Sequence, residues 1–306
     1  MCGNSLLELS YKGVMKFDTE INNFMTTHTF KQIKVDGIST RYLLCGNEDS
    51  KYTLVYLVGG TGIPEVWLNH ILKMETYFRI LTMDYPMEIE SMEALARHIV
   101  HLVDVLDLRN TIFIGASLGG FVAQLVGRIA PERVSGVCLY STCSLSEASV
   151  MDLKKQYKSY GVMLVLMKIL PYSWVRSLSL NISKKQIGLE NEDQEGRTYM
   201  EDLFTWVFSR YTKEFDTHMT KLLADIPNLD FMTKEDYARF DDRSLLVLPK
   251  NDKAFSEAAQ KDLRDSMPRA LVKWVNAGHT ATLFKVDTYV DATREFIKGL
   301  EGADAS

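Results

Sequence analysis

Residues 111–129 read TIFIGASLGGFVAQLVGRI. Thr111, Ile112, Phe113 and Ile114 form an apolar, β-branched run, which predicts a strand over 111–114 that is buried on both faces. Residues 121–129 carry the apolar spacing of a helix. Between them lies Gly115-Ala116-Ser117-Leu118-Gly119-Gly120, a G-x-S-x-G pattern. The pattern alone is modest evidence: with Gly and Ser each near 7% of residues, roughly one chain of this length in ten contains it by chance. Its position is the stronger signal. A sharp strand-to-helix turn projects Ser117 out of a sheet, and glycines two positions to either side remove side chains that would clash in the crowded turn.

The same rhythm extends outward in both directions. Upstream, 53–58 is a continuous apolar run ending in Gly59-Gly60-Thr61-Gly62. The periodicity then predicts a helix over 67–78, a strand over 79–84 and a helix over 91–106, and downstream a strand over 135–140. Strands alternating with amphipathic helices imply an α/β fold, with a mostly parallel sheet, helices on both faces and ligand sites at the carboxyl ends of the strands. Before this, 30–35 and 40–44 flank Asp36-Gly37 as a hairpin. After Thr142 the alternation stops, and up to about residue 241 the chain is helical and rich in Met and aromatic residues. It resumes with a strand over 244–248, a helix over 257–265, a strand over 270–275 and a helix over 286–300. The expected organisation is therefore an N-terminal arm over 1–28, a core of 29–144 and 244–306, and a helical insertion over 145–243. In the arm, a loose helical pattern (Leu6, Leu7, Leu9, Val14, Met15) packs on the main domain.

The 306 residues are 46% apolar and 25% charged, enough to bury a large core. A net charge of -5, from 35 Lys and Arg against 40 Asp and Glu, with no basic stripe, argues against a nucleic-acid partner. No secretory leader is recognisable, and Met1-Cys2-Gly3 is not a myristoylation start. The longest apolar run, 162–170, is interrupted by Lys168 and is too short to span a bilayer. The four cysteines, Cys2, Cys45, Cys138 and Cys143, form no C-x-x-C pair and no ligand spacing with histidine. They read as reduced thiols of a cytoplasmic protein, with Cys138 and Cys143 buried near a strand end. The motifs call for no cofactor and no metal.

A serine hydroxyl needs a base within reach, and the base needs an orienting group. Of six histidines, His279 follows the last predicted strand in Asn276-Ala277-Gly278-His279-Thr280, at the sheet edge where Ser117 emerges. His28 and His70 lie away from that edge or too near a helix body. His98 and His101 share a helix face at i, i+3 but lack a third ligand, and read as a solvated face. His218 falls in the insertion, where it could touch substrate. For the acid, Asp252 follows the strand 244–248 and a short turn. Asp241 and Asp242 precede that strand and read as solvated. Acyl transfer also needs donors for an oxyanion. The amide of Leu118, at a helix N-terminus, is one, and the Gly60-Thr61 loop, with the Thr61 amide, supplies the other. A phosphate loop is the rival reading of GGTGIP, but Gly-Lys-Ser/Thr does not follow.

With these segments in place, 29–300 resembles a capped member of the α/β-hydrolase superfamily, through LVYLVGGTG, ILTMDYP, IFIGASLGGFVAQLVGRIAPERVSGVCLY, LLVLPKNDKAF and NAGHTATLF. The order Ser117, Asp252, His279 is the order expected of that arrangement. Where many relatives carry a His-Gly pair in the first loop, this chain has Gly59. The resemblance implies a serine hydrolase, esterase-like, acting on a small, apolar acyl substrate through an acyl-enzyme, with 145–243 as a helical cap. Ser117 excludes the chemistry of relatives with an Asp nucleophile. The stretch 161–167 with Trp174, Phe204, Trp206 and Phe208 fits either an apolar pocket or packing of cap on core. Two other readings stand beside hydrolysis: an acyltransferase, and a binding protein that keeps the fold without the reaction.

Overall fold

The computed structural model describes residues 17–190 and 194–304. The predicted pattern from Leu6 to Met15, and Cys2, lie outside the described residues. The chain runs through α1 (Phe17–Thr27), β1 (Lys31–Val35), β2 (Ile38–Gly46), β3 (Thr53–Leu57), α2 (Leu68–Met74), β4 (Arg79–Met83), α3 (Met92–Val105), β5 (Thr111–Ala116), α4 (Leu118–Ile129) and β6 (Val134–Tyr140). Among the described residues five helices follow without a strand: α5 (Glu147–Ile169), α6 (Tyr172–Glu190), α7 (Gln194–Arg210), α8 (Lys213–Asp225) and α9 (Lys234–Tyr237). The rhythm then returns with β7 (Ser244–Pro249), α10 (Glu257–Ser266), β8 (Leu271–Val275) and α11 (Val286–Asp304).

Among the described residues, eight strands form one sheet in the order β1-β2-β4-β3-β5-β6-β7-β8. The hairpin β1–β2 is antiparallel and joins β4 antiparallel, and the other pairings are parallel. Asp36 and Gly37, with φ of 51° and 82°, make the two-residue turn that the sequence predicts. β3, β5 and β7 are buried along their whole length, because helices cover both faces of a parallel sheet. Each fully buried side chain such as Phe113 or Ile114 contributes roughly 2 kcal/mol.

Three boundaries differ from the sequence reading for local reasons. α4 begins at Leu118 rather than 121, because Gly119 and Gly120 form its first turn and their low helix propensity hides it. α2 stops at Met74, where the amides of Tyr77 and Phe78 both turn back to the Met74 carbonyl. β5 runs on to Ala116, which carries Ser117 one residue past the strand end.

The first turn of α4 is locked to β3. A Cβ on Gly119 would overlap the carbonyl oxygen of Leu57 and lie 2.8 Å from that of Val58, backbone atoms at and just past the carboxyl end of β3. Gly119→Ala is therefore expected to cost about 3 kcal/mol and to lower Tm by roughly 5–10 °C. Thermal denaturation measures it, and an unchanged Tm would contradict this packing.

The helical insertion leaves and rejoins the sheet through the α4 side chain Gln124. Its Nε2 donates to the carbonyls of Gly120 and Cys143, and its Oε1 accepts from the Leu145 amide and the Tyr237 hydroxyl. Asp262 of α10 accepts from the hydroxyls of Ser144, Ser146 and Ser149, at the point where α5 starts. α1 packs on the insertion as well as on the core: Phe17 meets the rings of Tyr199 and Trp206 edge-on at 5.7 and 5.6 Å, and Tyr199 donates to Glu20. Among the described residues no helix is long and apolar enough to cross a membrane.

Candidate active site

Ser117 occupies the turn between β5 and α4 with φ 52° and ψ −117°, a backbone conformation that side chains rarely adopt. The turn is held on both sides: the Ser117 amide donates to the Tyr140 carbonyl at 3.0 Å, and the Ser117 carbonyl accepts from the Thr142 hydroxyl at 3.0 Å. Gly115 and Gly59 leave the room this requires. A Cβ on Gly115 would overlap the Gly119 backbone, and one on Gly59 would lie 3.1 Å from the Ala116 carbonyl and 3.6 Å from the Ser117 Cβ.

His279 opens the turn after β8, and its Nε2 lies 3.1 Å from Ser117 Oγ. Its Nδ1 lies 3.1 and 3.0 Å from the two carboxylate oxygens of Asp252. The Asp252 side chain is 1% exposed, and its Oδ1 also accepts from the amides of Ala254 and Phe255 at 2.7 and 3.0 Å. The loops are tied together, since the Lys250 and Asn251 amides donate to the carbonyls of Val275 and Ala277. Ser117, Asp252 and His279 thus come together from three separate strand ends. Phe255 meets the His279 ring edge-on at 5.4 Å.

Gly60 and Thr61 line the same cavity as Ser117, and the amide of Leu118 begins α4. The Tyr211 hydroxyl at the end of α7 donates to the Thr61 carbonyl at 2.8 Å, so the insertion holds this loop directly. Tyr211 was not legible as a loop anchor, because its partner is 150 residues away.

The cavity measures about 420 Å³ and lies between the strand ends and the insertion. α5 turns Tyr160, Met163 and Met167 toward it and leaves Val162, Val165 and Ile169 exposed. The stretch 161–167 is therefore divided between pocket and surface. Phe204 and Phe208 line the cavity, Trp206 packs on Phe17, and Trp174 is 68% exposed. α8 offers Asp216, Met219, Thr220 and Leu223, one face at i, i+3, i+4, i+7.

The remaining histidines and acids correct several expectations. His98 is not on a solvated face: it is buried, with Nε2 2.6 Å from the Thr40 hydroxyl, because α3 packs that side on the hairpin. His101 alone is exposed, beside Asp36. Asp241 stands at the amino end of β7 as expected but is buried rather than solvated, where Arg269 pairs with it at 2.5 Å. His218 is buried and absent from the cavity lining among the described residues. The ligand atoms of His28, Cys45 and Glu75 lie within 4.8 Å of one another. The His28 ring is already engaged by Thr27, Phe24 and Glu75, and burial, with Glu75, pushes the Cys45 thiol up to about 12. Cys45 pairs with Ile80 at the start of β4, on the sheet edge opposite Ser117.

His70 does not touch Ser117, yet it supports the site. Its Nε2 donates to the Thr282 carbonyl at 2.7 Å, which fixes the turn that begins with His279, while its Nδ1 is buried without a partner among the described residues. Burial pushes its pKa down from 6.5 to about 4, against the raising effect of the Thr282 bond. The unfolded chain therefore takes up a proton near pH 6.5 that the folded chain refuses until about pH 4. Stability falls as pH drops through that window, by about 3 kcal/mol from this residue, and levels off below it. Urea unfolding at pH 7 and pH 4 should show this loss in the wild type and not in His70→Gln. Equal losses in both would remove the assignment.

A model of the alpha/beta hydrolase family matches residues 55–292. The enol-lactonase of Burkholderia xenovorans LB400 is similar in structure, with a TM-score of 0.69 and 14% identity, covering 88% of this chain and 100% of that one. A thermophilic esterase from Thermogutta terrifontis has a TM-score of 0.67 and 14% identity, covering 89% and 99%. A stretch of 126 residues, 39% of this chain, is 29% identical to the dihydrolipoyllysine-residue acetyltransferase component of the acetoin cleaving system of Pseudomonas putida, and this chain spans 34% of that protein's length. The two structures share the fold at low identity, and the family match takes in the segments bearing Ser117, Asp252 and His279 alike: the chain belongs to the alpha/beta hydrolase family.

Proposed function

We propose that the protein is a serine hydrolase that cleaves an ester or thioester of a small acyl substrate. Ser117 Oγ attacks the carbonyl carbon while His279 Nε2 takes its proton. Asp252 holds the ring by Nδ1 and stabilises the imidazolium. The amides of Leu118 and Thr61, with Gly60 giving the loop its close approach, bind the oxyanion. His279 returns the proton to the leaving group, and water, deprotonated by the same ring, releases the acyl group from Ser117. In this reading residues 145–243 act as a cap that excludes water from the apolar side of the cavity.

The observation that carries the reading is the continuous path from Ser117 Oγ through His279 to Asp252, with contacts of 3.1 and 3.0 Å. The esterase and lactonase that share the fold support the reaction class. A fluorophosphonate probe is expected to modify Ser117 stoichiometrically, as read by peptide mass spectrometry. Protein left unmodified at Ser117, in a folded preparation, would defeat the reading and favour a ligand-binding role.

The acetyltransferase relative supports a second outcome for the same acyl-enzyme, transfer to an acceptor other than water. Product analysis with added alcohols or thiols separates the two, since transfer yields a new ester or thioester and hydrolysis the free acid.

A further inference from the structure

The cavity above Ser117 is walled mainly by aromatic rings, thioethers and aliphatic chains, including Trp67, Phe204, Phe208, Met163 and Met167. Asp216 breaks this pattern. Among the described residues it is the one carboxylate on the lining, and no Lys or Arg lines the cavity. The residue is 8% exposed, its Oδ2 is buried, and among the described residues no ion pair engages it. The Tyr172 hydroxyl stands beside it as a neutral donor, with no other partner among the described residues, and lowers its pKa. Burial, the larger effect, raises that pKa.

Packing does not account for an acid here. Asp216 shares the inward face of α8 with Met219, Thr220 and Leu223, where an apolar side chain would be favoured, because a desolvated carboxylate without a compensating charge is destabilising. Among the described residues no cation on the lining compensates it, so the counter-charge comes from whatever occupies the cavity. The rings around it narrow the choice, since aromatic faces attract cations and gain most where water is excluded.

We propose that Asp216 recognises a cationic group of the substrate, so that the preferred ligand is an ester or thioester carrying an ammonium group on the portion held beneath the insertion. The Asp216 carboxylate is its counter-ion, and Phe204, Phe208 and Tyr211 form its walls. The ester part of this statement rests on the hydrolase reading; the ammonium part does not.

The test is a calorimetric titration of n-hexylammonium and of 1-hexanol into Ser117→Ala and into Ser117→Ala/Asp216→Asn. Hexylammonium is expected to bind Ser117→Ala at least about tenfold more tightly than the double variant, with hexanol changing by no more than about twofold. Equal hexylammonium affinities, or hexanol binding Ser117→Ala as tightly as hexylammonium, would overturn the proposal. Tm of the double variant is expected to equal or exceed that of Ser117→Ala, since an unpaired buried charge is removed. A clear fall would make Asp216 a structural residue and also overturn it. If the ammonium preference holds while fluorophosphonate leaves Ser117 unmodified, only the hydrolase reading fails. If Ser117 is modified and the preference is absent, only this inference fails.

Discussion

Ser117→Ala is expected to lower kcat on a chromogenic short-chain ester by about 10⁴ to 10⁶, with Tm shifted by no more than about 2 °C. The size follows from the geometry. Ser117 Oγ is the atom that His279 Nε2 faces at 3.1 Å, and Ala leaves that nitrogen with nothing to deprotonate except water. In the proposed mechanism the residual rate comes from binding and from the amides assigned to the oxyanion, which the substitution leaves in place. Stability is spared because the turn is held by backbone groups: the Ser117 amide donates to Tyr140 and its carbonyl accepts from Thr142, and both bonds survive in alanine. A variant that kept more than about a tenth of the activity would show that the ester is cleaved elsewhere.

Asp252→Asn is expected to lower kcat by about 10⁴ without unfolding the protein, through the tautomer of His279. Asp252 Oδ1 accepts from the amides of Ala254 and Phe255, so an asparagine at 252 keeps its carbonyl oxygen on those two donors. Its NH₂ group then faces His279 Nδ1, where the carboxylate had accepted a hydrogen bond. The ring must present a bare Nδ1 to that donor and carry its proton on Nε2, so it can no longer take one from Ser117. The opposite rotamer sets the amide NH₂ against two backbone N–H groups and is disfavoured. Steady-state kinetics on the purified variant measures the effect, and a loss below about tenfold would remove Asp252 from the role.

The parts of the site that were legible in the sequence are those set by neighbours in the chain. Ser117 sits between a strand and a helix that its own flanking residues specify, and Gly115 and Gly119 are needed by a turn only five residues long. His279 and Asp252 were found because each follows a short apolar run, and such runs become strands whose carboxyl ends share one edge of a parallel sheet. The hairpin turn at Asp36-Gly37 is local in the same way. What misled was burial. Asp241 and His98 carry polar side chains on what read as solvated segments, yet Arg269 and Thr40, distant in sequence, cover them.

The residues around the site that went unread have the same cause. Asp216 had one sequence signal, an acid on an otherwise apolar stripe with Met219 and Leu223, and it becomes visible only once 213–225 is known to be a helix facing a cavity. His70 and Tyr211 act through carbonyl oxygens 212 and 150 residues away, and a carbonyl has no sequence signature at all. By itself the sequence determined the alternation of strands and helices, the turn that exposes Ser117 and the strand ends that carry Asp252 and His279, because periodicity and turn chemistry act over a few residues. Only the tertiary structure decided which polar groups lose water, which wall of the cavity bears an acid and what holds the loops around Ser117, because desolvation and long-range hydrogen bonds depend on segments that meet only when the chain is folded.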